Sequence, residues 1–219
     1  MHILIATRNR HKIEEIKAIL GPRHRFSTIA DFDGAPTAIE DAPSFEGNAT
    51  KKAVMLAEWL AARETDVDYV LADDSGLEVD ALGGAPGVHS ARFAALESAN
   101  ARNSPDAENN AKLIRLLRGV PEEKRTARFR CVIAFTPVPR IEKGASPVCD
   151  ASEAELGTRL FSGACEGRVR DVESGQKGFG YDPLFVPNGY TQSFAELGEE
   201  VKNRISHRSQ ALEKLSRTM

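Results

Sequence analysis

The 219-residue sequence has few cysteines, a single tryptophan, no excess of charge of one sign and no apolar run long enough to cross a bilayer. Cys131, Cys149 and Cys165 are odd in number and far apart. Neither a disulfide framework nor a Cys-x-x-Cys metal site can be read from them, and reduced thiols are expected. The opening apolar stretch, Met1 to Ala6, runs straight into Thr7 and Arg8, too soon for a signal peptide. A cytoplasmic protein with no membrane association is therefore the expectation. Binding a nucleic acid backbone needs clustered Lys and Arg, whereas here 29 basic residues are interspersed with 32 acidic ones for a formal net charge of -3. Nucleic acid is not an expected partner. A small anion held by a few basic side chains remains compatible with this balance. No internal repeat is visible, and 41% hydrophobic with 28% charged residues gives an ordinary globular chain, long enough to bury a core.

The patterning is that of a mixed α/β chain without an obvious linker. Met1 to Ala6 reads as a buried strand. Ile13, Ile16 and Leu20 recur at helical spacing until Gly21-Pro22 stops them. Asn48 to Ala62 is a second helix, with Ala49, Ala53, Leu56 and Leu60 on one face. Asp68 to Ala72 reads as a strand delivering the chain into Asp73-Asp74-Ser75-Gly76. Ser104-Pro105 supplies a cap and first position for a helix carrying Leu113, Ile114, Leu116 and Leu117. Ala127 to Phe135 alternates as a strand, Ile141 to Glu155 is an acidic loop, and Leu156 to Cys165 is a weakly patterned strand. A Gly-aromatic turn and apolar run fill Gly178 to Pro187, and Ser206 caps a last helix built on Ala211, Leu212 and Leu215. The chain divides loosely into a lobe from both ends and a middle lobe.

Four segments end elements with groups suited to phosphate, metal or a base edge. In Thr7-Arg8-Asn9-Arg10-His11-Lys12, backbone N–H donors at a helix start and the Lys12 charge suit an anion. Taken alone, an N-cap followed by a solvated basic turn explains the same residues, since this is neither a Walker loop nor a Gly-x-Gly fingerprint. Asp73 and Asp74, at a strand end, would point to opposite faces, so that one faces a site where Mg²⁺ takes carboxylate, water and phosphate oxygens. A purely structural Asp-Asp-Ser-Gly turn is an equal alternative. In Gly178-Phe179-Gly180-Tyr181-Asp182-Pro183, the glycines permit close backbone approach, the aromatics can stack on a base and Asp182 can accept from ring or sugar donors. The plain alternative is a tight turn with two core aromatics. Finally, Lys202 to Arg208 places a guanidinium in the first turn of a helix, where cations are disfavoured without a partner.

These segments, Ala6 to Asn9 with Lys12, Ser44-Phe45-Glu46-Gly47-Asn48-Ala49, Ala72 to Ala94, Phe179 to Pro187 and Ile205 to Arg208, together resemble the inosine triphosphate pyrophosphatase family in order and over nearly the whole chain. The resemblance implies a two-lobed α/β fold over residues 1–219, with a long mixed sheet and a cleft between lobes. It also implies a homodimer and Mg²⁺-dependent conversion of non-canonical purine triphosphates (dITP, ITP, XTP) to the monophosphate and pyrophosphate. Carried over, Thr7, Arg8, Asn9, Arg10, His11 and Lys12 would hold phosphates. Asp74 would be catalytic acid-base and metal ligand, with Lys12 as its catalytic partner, and Ser75 would touch substrate. Phe179, Gly180, Tyr181, Asp182, Lys202, His207 and Arg208 would shape the base and phosphate pocket. One departure stands out: the family commonly has Glu directly before Asn-Ala, where this chain has Gly47, with Glu46 one place earlier. Either Glu46 reaches the metal or Asp73 fills the gap.

His2, His11, His24 and His89 have no ligand spacing and read as surface or packing residues. Trp59 reads as core or interface. Two other functions fit less well: a sister pyrophosphatase acting on pyrimidine or modified nucleotides, and a non-catalytic nucleotide-binding protein.

Overall fold

The fold begins with four consecutive buried residues, as a strand flanked on both sides accommodates. In the structure, a computed structural model describing residues 1–63, 65–97, 103–140 and 157–219, β1 spans His2–Ile5. It pairs in parallel with β2 (Arg25–Thr28) on one side and β3 (Tyr69–Val79) on the other. With β4 (Thr126–Pro137), β5 (Arg159–Val169) and β6 (Phe185–Pro187) they form a six-stranded sheet in the order β2-β1-β3-β4-β5-β6. The sheet is mixed, because β5 and β6 run antiparallel.

Six α-helices accompany it among the described residues: α1 Arg10–Leu20, α2 Phe45–Ala61, α3 Asp106–Leu116, α4 Phe194–Leu197, α5 Glu199–Ile205 and α6 His207–Ser216. Local chemistry sets their ends. The Asn9 side chain accepts from the Lys12 amide at 3.2 Å to start α1, and Gly21 at φ 71° closes it. Ser44 caps α2 by accepting from the Gly47 amide at 3.1 Å, and Ser206 caps α6 by accepting from the Ser209 amide at 3.2 Å.

The chain separates into two compact units. The first comprises Met1–Asp74, Val132–Ser162 and Leu212–Met219; the second comprises Ser75–Cys131 and Gly163–Ala211. In the first, Ile16 and Leu20 of α1, Ala49, Ala53, Leu56 and Leu60 of α2, and the β1 run are all buried. The second has a core of its own from Leu77, Val79, Leu113, Leu117, Phe129, Val169, Leu184, Phe185 and Phe194. Cys165 packs into that core, and Cys131 and Cys165 are both buried and in no disulfide among the described residues.

Several boundaries differ from the sequence reading. The strand expected at Asp68 to Ala72 runs on to Val79, so Asp73 and Asp74 lie inside β3, and the turn reading of Asp-Asp-Ser-Gly is overturned. Buried packing of Leu77 and Val79 outweighs the turn propensity of the polar residues between. Helix α2 starts three places before Asn48, at Phe45, because Ser44 takes the cap; α3 starts after Pro105, at Asp106. Strand β4 extends by a residue or two at each end of the expected segment, and β5 is displaced toward Val169. The acidic loop expected over residues 141–155 and Cys149 lie outside the described residues.

Among the other residues weighed, His2 is buried between Asp66 and Ser27, with ring nitrogens 3.1 and 2.6 Å from their oxygens, so packing and pairing occupy it. Trp59 packs edge-on against Phe32 and lies under the Arg63 guanidinium, 3.9 Å from its ring centroid.

Candidate active site

Each unit carries one charged, largely buried cluster. In the first unit it is built on β3 and α2. Asp74 is 6% exposed, and its carboxylate oxygens accept from Lys52 Nζ at 2.8 Å and from Asn48 Nδ2 at 3.3 Å. Lys52 also donates to the Asp73 carbonyl at 2.9 Å and lies 3.4 Å from Glu40. Asp73 itself, buried, is ion-paired with Lys12. Asn48 and Lys52 are four residues apart and therefore share one face of α2. The Asn48 oxygen meanwhile accepts from the Ala42 amide at 3.0 Å, so a single buried amide joins the segment before α2 to Asp74.

Burial of Asp74 pushes its carboxyl above the ordinary carboxylate range, a shift opposed by the Lys52 and Lys12 charges. For Lys52, burial alone would lower the ammonium, but the Asp74 and Glu40 charges outweigh it and hold the proton on more tightly. Asp74 is thus a carboxylate of raised basicity beside a cation that stays charged. That combination suits a general base next to developing negative charge.

A hard cation would fit at Asp74. Asp74 Oδ1 accepts from Lys52 and Oδ2 from Asn48, and a carboxylate offers about four acceptor sites, so lone pairs remain. Among the described residues no group of three or more His, Cys, Asp or Glu side chains is placed to hold an ion. An ion at Asp74 would therefore complete its shell with water and substrate oxygens, as Mg²⁺ does. Glu46 stands in the first turn of α2, two residues before Asn48. Gly47 is small for a local reason: a Cβ there would come within 2.8 Å of the Ala42 side chain.

The remaining phosphate candidates cap or flank α1. Thr7 Oγ1 accepts from the Asn9 amide at 3.2 Å, and Arg8 donates to Thr37 at 2.6 Å. Arg8, Asn9, Arg10 and His11 are exposed.

The second unit's cluster joins Ser75 of β3, the Gly178–Asp182 loop, α5 and α6. Arg208 is 0% exposed and donates to Ser75 Oγ at 3.0 Å. Lys202 is buried against Asp182 at 2.5 Å, and Asp182 also accepts from the Phe179 amide at 2.9 Å. Gly178, at φ 78°, is required twice over, because a Cβ there would collide with the Asp182 carboxylate. Phe179 is half-buried, with Lys202 Nζ 4.4 Å and Arg208 Cζ 5.9 Å from its ring centroid, so two cations lie over one aromatic. Tyr181 is core, its hydroxyl donating to the Ser90 carbonyl at 2.9 Å. His207 is buried and stacked on Phe129 at 4.8 Å between centroids.

The expected residues therefore gather within two groups, Lys12 with Asp73 and Asp74, and Ser75 with Phe179, Asp182, Lys202 and Arg208. Lys52, Asn48 and Glu40 were missed by sequence reasoning. Helical spacing from Asn48 to Lys52 was the available signal; Glu40, in an irregular segment, gave none.

The sequence profile of the Ham1 family matches residues 3–218. A dITP/XTP pyrophosphatase of Desulforamulus reducens is 46% identical over 98% of this chain and 93% of its own length. A dITP/XTP pyrophosphatase of Shouchella clausii is 41% identical over 99% and 96%. Among solved structures, a HAM1 protein from Coxiella burnetii superposes with a TM-score of 0.78 at 32% identity, covering 100% of this chain and 98% of that one.

Proposed function

The chain belongs to the Ham1 family, and from that premise we infer that it hydrolyses non-canonical purine nucleoside triphosphates, dITP, ITP and XTP, to the monophosphate and pyrophosphate. The observation that supports the chemistry is the buried Asp74 carboxylate, held between Lys52 and Asn48 with the Lys12–Asp73 pair next to it in sequence and charge. Asp74 accepts a proton from the attacking water. A bond forms from that water's oxygen to the α-phosphorus, and the bond from the α-phosphorus to the bridging oxygen breaks, so that pyrophosphate carries away the electron pair. Lys12 and Lys52 steady the negative charge that accumulates on phosphate oxygens. Thr7 to His11 present amide, hydroxyl and basic groups to the outer phosphates.

Asp74 with Glu46 would hold Mg²⁺, which when bound would supply charge neutralisation to the polyphosphate and its leaving group. Phe179, Gly180, Tyr181, Asp182, Lys202, His207 and Arg208 shape the base and phosphate pocket, and Ser75 touches substrate. Hypoxanthine and xanthine present an oxygen at C6 where adenine presents an amino donor, and the Arg208 guanidinium has only donors to offer. Phe179 stacks on any purine. The enzyme acts as a homodimer in the cytoplasm, one two-lobed pyrophosphatase domain per subunit.

Pyrophosphate release, measured across dITP, XTP, ITP and the four standard deoxynucleotides with Mg²⁺, tests the assignment. The first three should be turned over in preference to the rest, and Asp74→Asn should lower the rate by about 10²-fold or more with the thermal midpoint kept. Full turnover by Asp74→Asn would remove Asp74 from the mechanism.

A further inference from the structure

The loop from Gly178 to Asp182 is pinned from outside the base cluster by one helix. Asp106 Oδ2, in the first turn of α3, accepts from the Gly180 amide at 2.6 Å. Asn110 Nδ2, one turn on, donates to the Gly180 carbonyl at 3.2 Å. The spacing of four residues puts both side chains on the same face of α3. Gly180 sits at φ 63°, and glycine has the widest backbone freedom of any residue. Its N–H belongs to the peptide before its Cα and its C=O to the peptide after it, so holding both fixes the two torsions between. The clamp thus restrains the loop at the residue best able to let it move.

The neighbours of this contact are fixed too. Tyr181 is tied to Ser90, whose hydroxyl accepts from the Leu77 amide at 2.9 Å on β3, and Asp182 is tied to Lys202 and to the Phe179 amide. Helix α3 is itself anchored by Asn109, which accepts from the Ala94 amide at 2.8 Å. Asn110 is 3% exposed, and its Oδ1 has no hydrogen-bond partner among the described residues. An unmatched buried acceptor costs stability, so packing alone would favour an apolar side chain there; what the amide adds is the Nδ2 donor to Gly180.

We propose that Asp106 and Asn110 are positioning residues for purine selection: by fixing Gly180 they hold the Phe179 to Asp182 backbone as the wall that refuses a 2-amino group. This rests on the reading of that loop as the base site. Guanine shares the C6 oxygen with hypoxanthine, so Arg208 cannot refuse it. At C2 xanthine carries an acceptor oxygen and guanine a donor amino group, so the wall separates them by leaving the amino group without an acceptor, which it does only while its backbone keeps its place.

The test is kcat and KM for dITP, dGTP and dATP in the unsubstituted protein and in Asp106→Ala, Asp106→Asn and Asn110→Asp. Asp106 is exposed, so its variants leave the core intact and carry the test even where Asn110→Asp fails to fold. Asp106→Ala and Asn110→Asp should narrow the dITP-over-dGTP preference by about 10-fold, through a lower KM for dGTP, with rejection of dATP kept. Asp106→Asn retains an amide oxygen to accept the Gly180 N–H and should restore the preference. Unchanged preference in Asp106→Ala, or a proportional loss on all three substrates, overturns the proposal and leaves the base-site reading standing. An unsubstituted protein that does not prefer dITP to dGTP overturns both.

Discussion

Asp74 and Lys52 sit so close that neither can be changed without moving the other's proton. The active form of Asp74 is the carboxylate, and burial has raised its pKa, so activity should rise with pH through a value above the ordinary carboxylate range and be lost below it. Lys52→Met removes the cation that opposes the shift, so the acid limb of kcat/KM should move to higher pH as kcat falls. An acid limb that stays in place would assign the limiting proton to another group. Arg208 yields a different signature. Arg208→Ala should lower dITP activity by roughly 10- to 100-fold more than ATP activity, with dITP still preferred over dGTP, because a buried polar contact is worth about 1 to 3 kcal/mol. Parallel rates on both substrates show whether Arg208 reads the C6 edge. The side chain is wholly buried with Ser75 among its partners, so the substitution also leaves a cavity, and a thermal midpoint measured alongside separates the two effects.

At the scale of elements, what the sequence made legible depended on whether a signal was local. The cap at Asn9, the stop at Gly21 and the cap at Ser206 are side-chain or backbone events within a turn, and α1 and α6 follow from them. β3 was misjudged because its polar centre, Asp73 to Gly76, is stabilised by Lys12, Lys52, Asn48 and Arg208, all distant in sequence. The site divides the same way: Lys12, Asp74 and Arg208 lie in recognisable segments, while the Lys52 contact emerges only once α2 faces β3. Gly163 is another position set by a distant element. A Cβ there would meet the backbone of α6 at His207 and Ala211, so β5 and α6 approach closely only because that side chain is absent. Gly163→Val should cost about 1 to 3 kcal/mol, read as a lowered denaturation midpoint, since backbone cannot yield as a side-chain tip does. A midpoint unchanged within error would mean that the strand or the helix shifts freely.

For the whole molecule, the two units are not strung end to end along the chain. Their boundaries fall inside β3, β4, β5 and α6, each of which begins in one unit and finishes in the other. Neither unit can lose its strands without disturbing those of the other, so thermal unfolding should be a single transition, with calorimetric and van't Hoff enthalpies in agreement. Two resolved transitions would show that the units melt separately. Cys165, packed in the second unit's core, brings a built-in clock to such experiments. Burial, with the Glu166 charge as a lesser cause, pushes its thiol up to about 12, so at neutral pH the native protein offers essentially no thiolate at this position. A pulse of alkylating reagent therefore reacts at Cys165 only in molecules whose core is open during the pulse, and the labelled fraction counts those openings without any introduced probe.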